Sequence, residues 1–426
     1  MGRRLAISLS VIATLAALLQ PTVASARGAG RYIVVLEDSV SNPRSVAAEH
    51  SARFGAEVSH VYRHALKGYA ATLSSARLAA LRSDPRVAFI SEDREVRTAQ
   101  QSLPTGVNRI DADQSSTKAG DGSGSVDVAV AIIDTGIDID HPDLNVVGGR
   151  NCSTGRSFDD GNGHGSHVAG TVGARDNTIG VVGMAPGAPL YAVRVLNNAG
   201  SGSWSSVICG VDWVTANASS KGIKVANMSL GGSGSDGTCG SDALHKAICN
   251  SVAAGVTYVV AAGNSNTDFK GFVPAAYNQV LTVTAEADFD GRPGGGAAPT
   301  CRTDVDDTAA DFSNFTTTAN TADQAHTIAA PGVCINSTWK SGGYNTISGT
   351  SMASPHVAGA AALCIATSAT SGKCTGGPTD VMADLRADAQ AETNDPTNQV
   401  YYGFTNDPNS PNGNRYYGYL AYAARY

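Results

Sequence analysis

The sequence predicts an α/β protein, a parallel sheet with helices on both faces, preceded by a small ferredoxin-like α+β domain. Three observations carry this. Between residues 27 and 99, short apolar strands and helical stretches follow one another as βαββαβ, the split-βαβ pattern. From Val126 onward, apolar strands alternate with helices, which a parallel sheet covered on both sides requires. Four of those strands run directly into chemically suggestive residues, and ligands of such sheets gather beyond the carboxyl ends of the strands.

Taken in order, Met1-Gly2-Arg3-Arg4 and the apolar run from Leu5 to Leu19, closed by Ala24-Ser25-Ala26, read as a secretory signal cut after Ala26. The run is shorter than the ~20 residues that span a bilayer. The expected product is therefore secreted and extracellular, with no membrane attachment after signal cleavage. The next segment, 27–99, holds strands at Tyr32–Leu36, Glu57–Tyr62, Lys67–Leu73 and Val87–Ile90. Helices are expected around Val46–Phe54 and Ser75–Arg82.

Residues 100–426 form the third segment. Its strands are Val126–Ile133, Leu190–Leu196, Val225–Leu230, Tyr258–Ala262 and Val280–Thr284. The first four are followed by Asp134, by Gly200-Ser201-Gly202, by Gly231-Gly232 and by Gly263-Asn264. The stretch from Ala287 to Asp311, with Asp304, Asp306 and Asp307, reads as a surface loop tied down by Cys301 and open to a further cation. Ser351–Leu363, small and apolar, reads as a buried helix. Tyr416–Tyr426 is expected to lie against the domain.

Composition narrows the function. Residues 1–99 carry 13 Lys+Arg against 8 Asp+Glu, whereas the remainder carries 17 against 29. The acidic larger part argues against nucleic acid as a partner. Eight cysteines, all beyond residue 150, suit an oxidising compartment. They allow 105 pairings. Cys239/Cys249 and Cys364/Cys374 are each ten apart, and Cys152/Cys209 and Cys301/Cys334 remain by elimination. No Cys-x-x-Cys occurs to suggest metal ligation.

Three motifs stand far apart: Ala131-Ile132-Ile133-Asp134-Thr135-Gly136-Ile137-Asp138, His164-Gly165-Ser166-His167-Val168-Ala169-Gly170, and Gly349-Thr350-Ser351-Met352-Ala353-Ser354-Pro355-His356-Val357-Ala358-Gly359. Asp, then His, then Ser is one of several chain orders for a serine nucleophile with its base and orienting acid. In these motifs and their order, from about residue 100 to the C-terminus, the chain resembles the subtilisin family of secreted serine proteases. His164 and His167 are three apart with no Glu between, unlike the His-Glu-x-x-His of zinc proteases. His167 and His356 are read as packed, structural histidines. Ser351 lies outside any Gly-x-Ser-x-Gly, which disfavours an α/β-hydrolase esterase.

The resemblance implies a monomeric serine endopeptidase of broad specificity, acting on polypeptides through an acyl-enzyme at Ser351. It implies His164 as base, Asp134 as its orienting acid and Asn264 as oxyanion donor. Gly200, Ser201, Gly202, Ser229, Leu230 and Gly231 would flank an extended substrate, with Trp204 in a distal subsite. Residues 27–99 look like the family's propeptide, which assists folding and inhibits until removed. Cleavage near Ala99–Gln100 would release the peptidase domain, 100–426. A structural calcium ion is implied, with Gln101, Asp143, Arg175, Asn177, Ile179 and Val181 as ligands, Arg175, Ile179 and Val181 through their carbonyls. No organic cofactor is implied.

Overall fold

The computed structural model describes residues 30–93 and 101–426. The expected signal segment and the expected cut near Ala99–Gln100 lie outside the described residues. The chain divides into two compact units, 1–98 and 99–426.

In the first unit β1 (Gly30–Leu36), β2 (Glu57–Tyr62), β3 (Gly68–Leu73) and β4 (Val87–Glu92) form an antiparallel sheet of order β2-β3-β1-β4. Helix α1 (Pro43–Phe54) starts where the Asn42 side chain accepts the Ser45 N–H at 3.2 Å and Pro43 needs no donor partner. It stops at Gly55, which is left-handed as a helix C-terminus favours. Together with α2 (Ser75–Arg82) it covers a core built on Val34, Leu36, Tyr69, Leu73 and Leu81. This matches the βαββαβ reading.

The second unit is built on a sheet of order β10-β9-β8-β5-β7-β6. The strands are β5 (Ala129–Asp134), β6 (Val146–Asn151), β7 (Leu190–Arg194), β8 (Ile223–Met228), β9 (Thr257–Ala261) and β10 (Leu281–Ala287). All are parallel, and β11 (Thr327–Pro331) extends the sheet beside β10. The strand order reverses at β5, which places a topological switch at its carboxyl end, beside Asp134.

Alternation along β5 divides the core in two. Ala129, Ala131 and Ile133 pack with Val207, Val211, Leu244 and Ile248 from α4 (Trp204–Lys221) and α5 (Ala243–Ala253). Val130 and Ile132 face Val168, Val172, Met352 and Val357 from α3 (His164–Gly173) and α6 (Thr350–Ala366). Removing Ile132's side chain would cost about 2–5 kcal/mol at such a site. Helix α6 is buried on every side from Met352 to Cys364. Gly359 permits this packing, because a Cβ there would come within 2.4 Å of the Met184 Cβ.

Several sequence readings need correction. The first strand begins at Ala129, because the Val126 N–H bonds the Pro186 carbonyl outside the sheet, and it includes Asp134 itself, which pairs with Arg194. The strands β6 and β11 and the helix α7 (Pro378–Thr393) were not anticipated. The 287–311 stretch is less of a surface loop than expected: Asp304, Asp306 and Asp307 are all buried. Their carboxylates hold the loop's own backbone, Asp306 accepting from Phe289 and Ala297 N–H, and Asp307 from Gly295 N–H. Buried Arg109 lies 2.9 Å from Asp307 and 3.2 Å from Glu286. The tail does pack on the domain, with Tyr416 paired to Thr316 and Leu420 bridged to Ala329. The cysteines form Cys152–Cys209, Cys239–Cys249, Cys301–Cys334 and Cys364–Cys374.

Candidate active site

Asp134 ends β5, fully buried. One of its oxygens accepts both the Thr135 N–H and the His164 Nδ1–H, each at 2.7 Å. That bond fixes the imidazole tautomer with the proton on Nδ1 and leaves Nε2 as the free base. Burial works hardest on His164, disfavouring its charged form. The charge and hydrogen bond of Asp134, with the charge of Asp160 behind them, outweigh burial and raise its pKa above the ordinary histidine value.

His164 is the first residue of α3, and Gly163 caps that helix at φ 114°. A Cβ on Gly163 would lie within 2.3 Å of the Trp339 ring, so only glycine fits. Asp160 organises the rest. One of its oxygens accepts from Thr135 Oγ1, Asn162 N and Gly163 N, and the other from the N and Oγ of Ser166, all between 2.7 and 2.9 Å. Thr135 Oγ1 in turn accepts the Gly165 N–H at 2.9 Å. The end of β5 and the start of α3 are thus joined through one buried carboxylate. The sequence reading missed Asp160, although an acidic residue just before an apolar helical run is a start signal.

Ser351 lies in the first turn of α6. Its Oγ–H donates to the Ser229 carbonyl at 3.2 Å, and its own carbonyl accepts the Ser229 hydroxyl at 2.7 Å. Asn264 follows β9, and its Oδ1 accepts both the N–H and the hydroxyl of Thr350 at 2.8 Å. A Cβ built on Gly349 would lie 3.4 Å from Asn264 Nδ2 and 3.6 Å from the Ser351 N, so the Asn264 side-chain amide and the first-turn N–H of Ser351 are neighbouring hydrogen-bond donors.

A cleft of about 670 Å³ runs from His164 to Trp204, walled by Gly200–Trp204 and Ser229–Gly232. The two expected substrate-flanking segments therefore line one groove. His167 and His356 belong elsewhere: His167 Nε2 bonds the Ile335 carbonyl at 2.9 Å, and His356 Nδ1 bonds the Met352 carbonyl at 2.8 Å. Burial pushes their pKa values down to about 3 and about 4, so both are neutral.

The residues expected to hold calcium also come together. Asp143, fully buried, accepts the Asn177 side-chain N–H at 2.8 Å and the Val181 N–H at 3.0 Å. Gln101 Nε2 donates to the carbonyls of Arg175 and Val181 at 2.6 and 3.1 Å, and Asn177 Oδ1 accepts the Ile179 N–H at 2.7 Å. Burial raises the Asp143 pKa, so a positive neighbour would favour its charged form. Carbonyls converging on a donor beside a buried carboxylate fit a hard cation with oxygen ligands. Tyr344, whose hydroxyl bonds Asp143 at 3.2 Å, was not anticipated.

An Asp–His pair at the switch point of a parallel sheet, with a serine and two donors at a helix start, defines the class: a serine hydrolase. The comparisons specify it further. Residues 125–404 match the subtilase family, and residues 31–99 match the peptidase inhibitor I9 family. The chain is 34% identical to subtilisin E of Bacillus subtilis (strain 168) over 415 residues, 94% of this chain and 97% of that one. It is 41% identical to an alkaline protease of Alkalihalobacillus alcalophilus over 292 residues, 68% of this chain and 67% of that one. The structure of a cold adapted subtilisin-like serine proteinase aligns with a TM-score of 0.53 at 31% identity, covering 77% of this chain and 99% of that one. The chain belongs to the subtilase family. It is a serine endopeptidase carrying an I9-type inhibitor segment ahead of its peptidase domain.

Proposed function

We propose that the protein is an exported precursor whose residues 100–426 cut unfolded polypeptides, with broad specificity and an apolar lean, through an acyl-enzyme on Ser351. The observation that carries this is the 2.7 Å bond between Asp134 and His164 at the carboxyl edge of the sheet. His164 Nε2 takes the Ser351 Oγ proton as Oγ bonds to the scissile carbonyl carbon. Asn264 Nδ2 and the Ser351 N–H bind the oxygen that becomes negative. The C–N bond then breaks, and His164 returns its proton to the departing amine. Water repeats the sequence, releasing the acid and freeing Ser351. Asp134, bonded to His164 Nδ1, stabilises the imidazolium.

Residues 27–99 act as an intramolecular inhibitor and folding aid until removed. The I9 match and the separate compact core support that role. Gln101, Asp143, Arg175, Asn177, Ile179 and Val181 would hold a structural calcium ion, which would neutralise Asp143 and fasten the start of the peptidase domain. Export is supported by the N-terminal basic–apolar pattern, and no helix among the described residues is long and apolar enough to cross a membrane. The working form is a monomer.

The test is hydrolysis of casein by the secreted, processed protein. A phosphonylating serine reagent should abolish it in calcium-containing buffer. Undiminished hydrolysis after complete reaction with that reagent would overturn the reading.

A further inference from the structure

Trp204 borders two hollows. One side belongs to the cleft that contains His164, and the other opens into a second hollow of about 550 Å³ beyond the Gly231–Gly232 edge. The second hollow differs in charge. Asp236 and Asp242 line it, and among the described residues no lysine or arginine does.

Its walls are fixed by specific bonds. Asp242 Oδ1 accepts the His245 N–H and the Tyr277 hydroxyl, both at 2.8 Å. Asp236 Oδ2 accepts from Asn278 Nδ2 at 2.9 Å. Tyr277 stacks on His245 with ring centroids 3.9 Å apart, and Cys239–Cys249 ties the loop to α5. Each aspartate keeps an oxygen free of those bonds. The N–H of His245, followed by the Tyr277 hydroxyl against the opposing effect of burial, holds the Asp242 carboxyl below its ordinary pKa. An acidic, half-open hollow that shares the Trp204 wall with the substrate groove suits a cationic side chain.

A second observation comes from the chain's own processing segment, Arg94-Glu95-Val96-Arg97-Thr98-Ala99. With a cut after Ala99, Val96 stands four residues before it and Arg94 six. In an extended chain those two side chains point the same way, roughly 7 Å apart. An apolar residue followed by a basic one matches an aromatic wall followed by an acidic hollow. On the other side of the cut, Gln100-Gln101-Ser102-Leu103-Pro104 carries no charge.

We propose that the hollow beyond Trp204, with Asp236 and Asp242, is a distal subsite that selects a lysine or arginine of the polypeptide substrate upstream of the scissile bond. This rests on the proteolytic reading above.

The experiment uses the mature enzyme and quenched fluorescent peptides differing only at the sixth residue before the cut: Lys, Ala or Asp. Expected is a kcat/KM about fivefold higher for Lys than for Asp, carried by KM and shrinking in 0.5 M salt, from the ~1 kcal/mol scale of exposed charge pairs. In Asp236→Asn the Lys-to-Asp ratio should fall towards one. Asp242 also caps α5, so Asp236→Asn is the cleaner variant. Equal kcat/KM for Lys and Asp peptides, with the Ala peptide well cleaved, overturns the subsite alone. So does a preference that survives unchanged in Asp236→Asn. A wild-type enzyme idle on the Ala peptide overturns the proteolytic reading with it.

Discussion

Ser229 and Ser351 hold each other twice: the Ser229 hydroxyl donates to the Ser351 carbonyl at 2.7 Å, and the Ser351 hydroxyl donates to the Ser229 carbonyl at 3.2 Å. The first bond exists because Pro355 has no N–H. In an uninterrupted helix residue 355 would bond the carbonyl of residue 351, and its proline leaves that acceptor to a side chain. The nucleophile is thereby tied to the segment that lines the substrate groove.

Replacing Ser229 with Ala should leave the Ser351 carbonyl without its partner. The expected cost is about 1–2 kcal/mol, seen as a roughly tenfold lower kcat/KM with the fold retained by circular dichroism. An unchanged kcat/KM would separate this link from catalysis.

Asn264→Ala removes one of the two donors at the start of α6. Turnover should fall about 10²–10³-fold with little change in KM, a magnitude measured on subtilisin itself. Because Asn264 Oδ1 also holds Thr350, Asn264→Asp is a useful companion: it keeps that acceptor but loses the Nδ2 donors. Steady-state kinetics on one peptide compares all three proteins.

The base must be neutral to accept a proton, and its pKa is raised. Activity is therefore full above the His164 pKa and lost as pH falls through it, with an acid limb above the ordinary histidine value of about 6.5. Asp160 contributes to that rise, so Asp160→Asn should move the limb to lower pH. A kcat/KM profile against pH checks both statements. A limb that stays in place would mean that Asp160 only anchors the helix.

Chelation should lower the thermal midpoint of the wild-type mature protein, and calcium should restore it. In Asp143→Asn both responses should shrink, because the only carboxylate among the six expected ligands is gone. Calorimetry with and without chelator reads this independently of activity.

What was legible in the sequence follows from how local its causes are. Asp134, His164 and Ser351 sit in motifs whose order alone separates one serine machine from another. The βαββαβ segment shows itself through strands with ordinary turns between them. The strand β6 did not, because Gly148-Gly149 break its apolar run, and β11 is five residues ending in proline. Asp160 carries a local start signal through Asn162, Gly163 and Ser166, but its tie to Thr135, 25 positions away, is not encoded locally. The Ser229 hydroxyl escaped because its partner lies 122 positions away. Burial of Asp307 was hidden because Arg109, its counter-charge, stands almost 200 positions upstream, whereas Asp304 pairs locally with Arg302.

The most direct measurement is the turnover of Ser351→Ala, processed in trans by active enzyme that is then removed, on a single peptide. The account predicts a fall in kcat of about 10⁶, the size found for subtilisin, with the substrate still bound at similar affinity. A kcat within tenfold of the unaltered protein would contradict it.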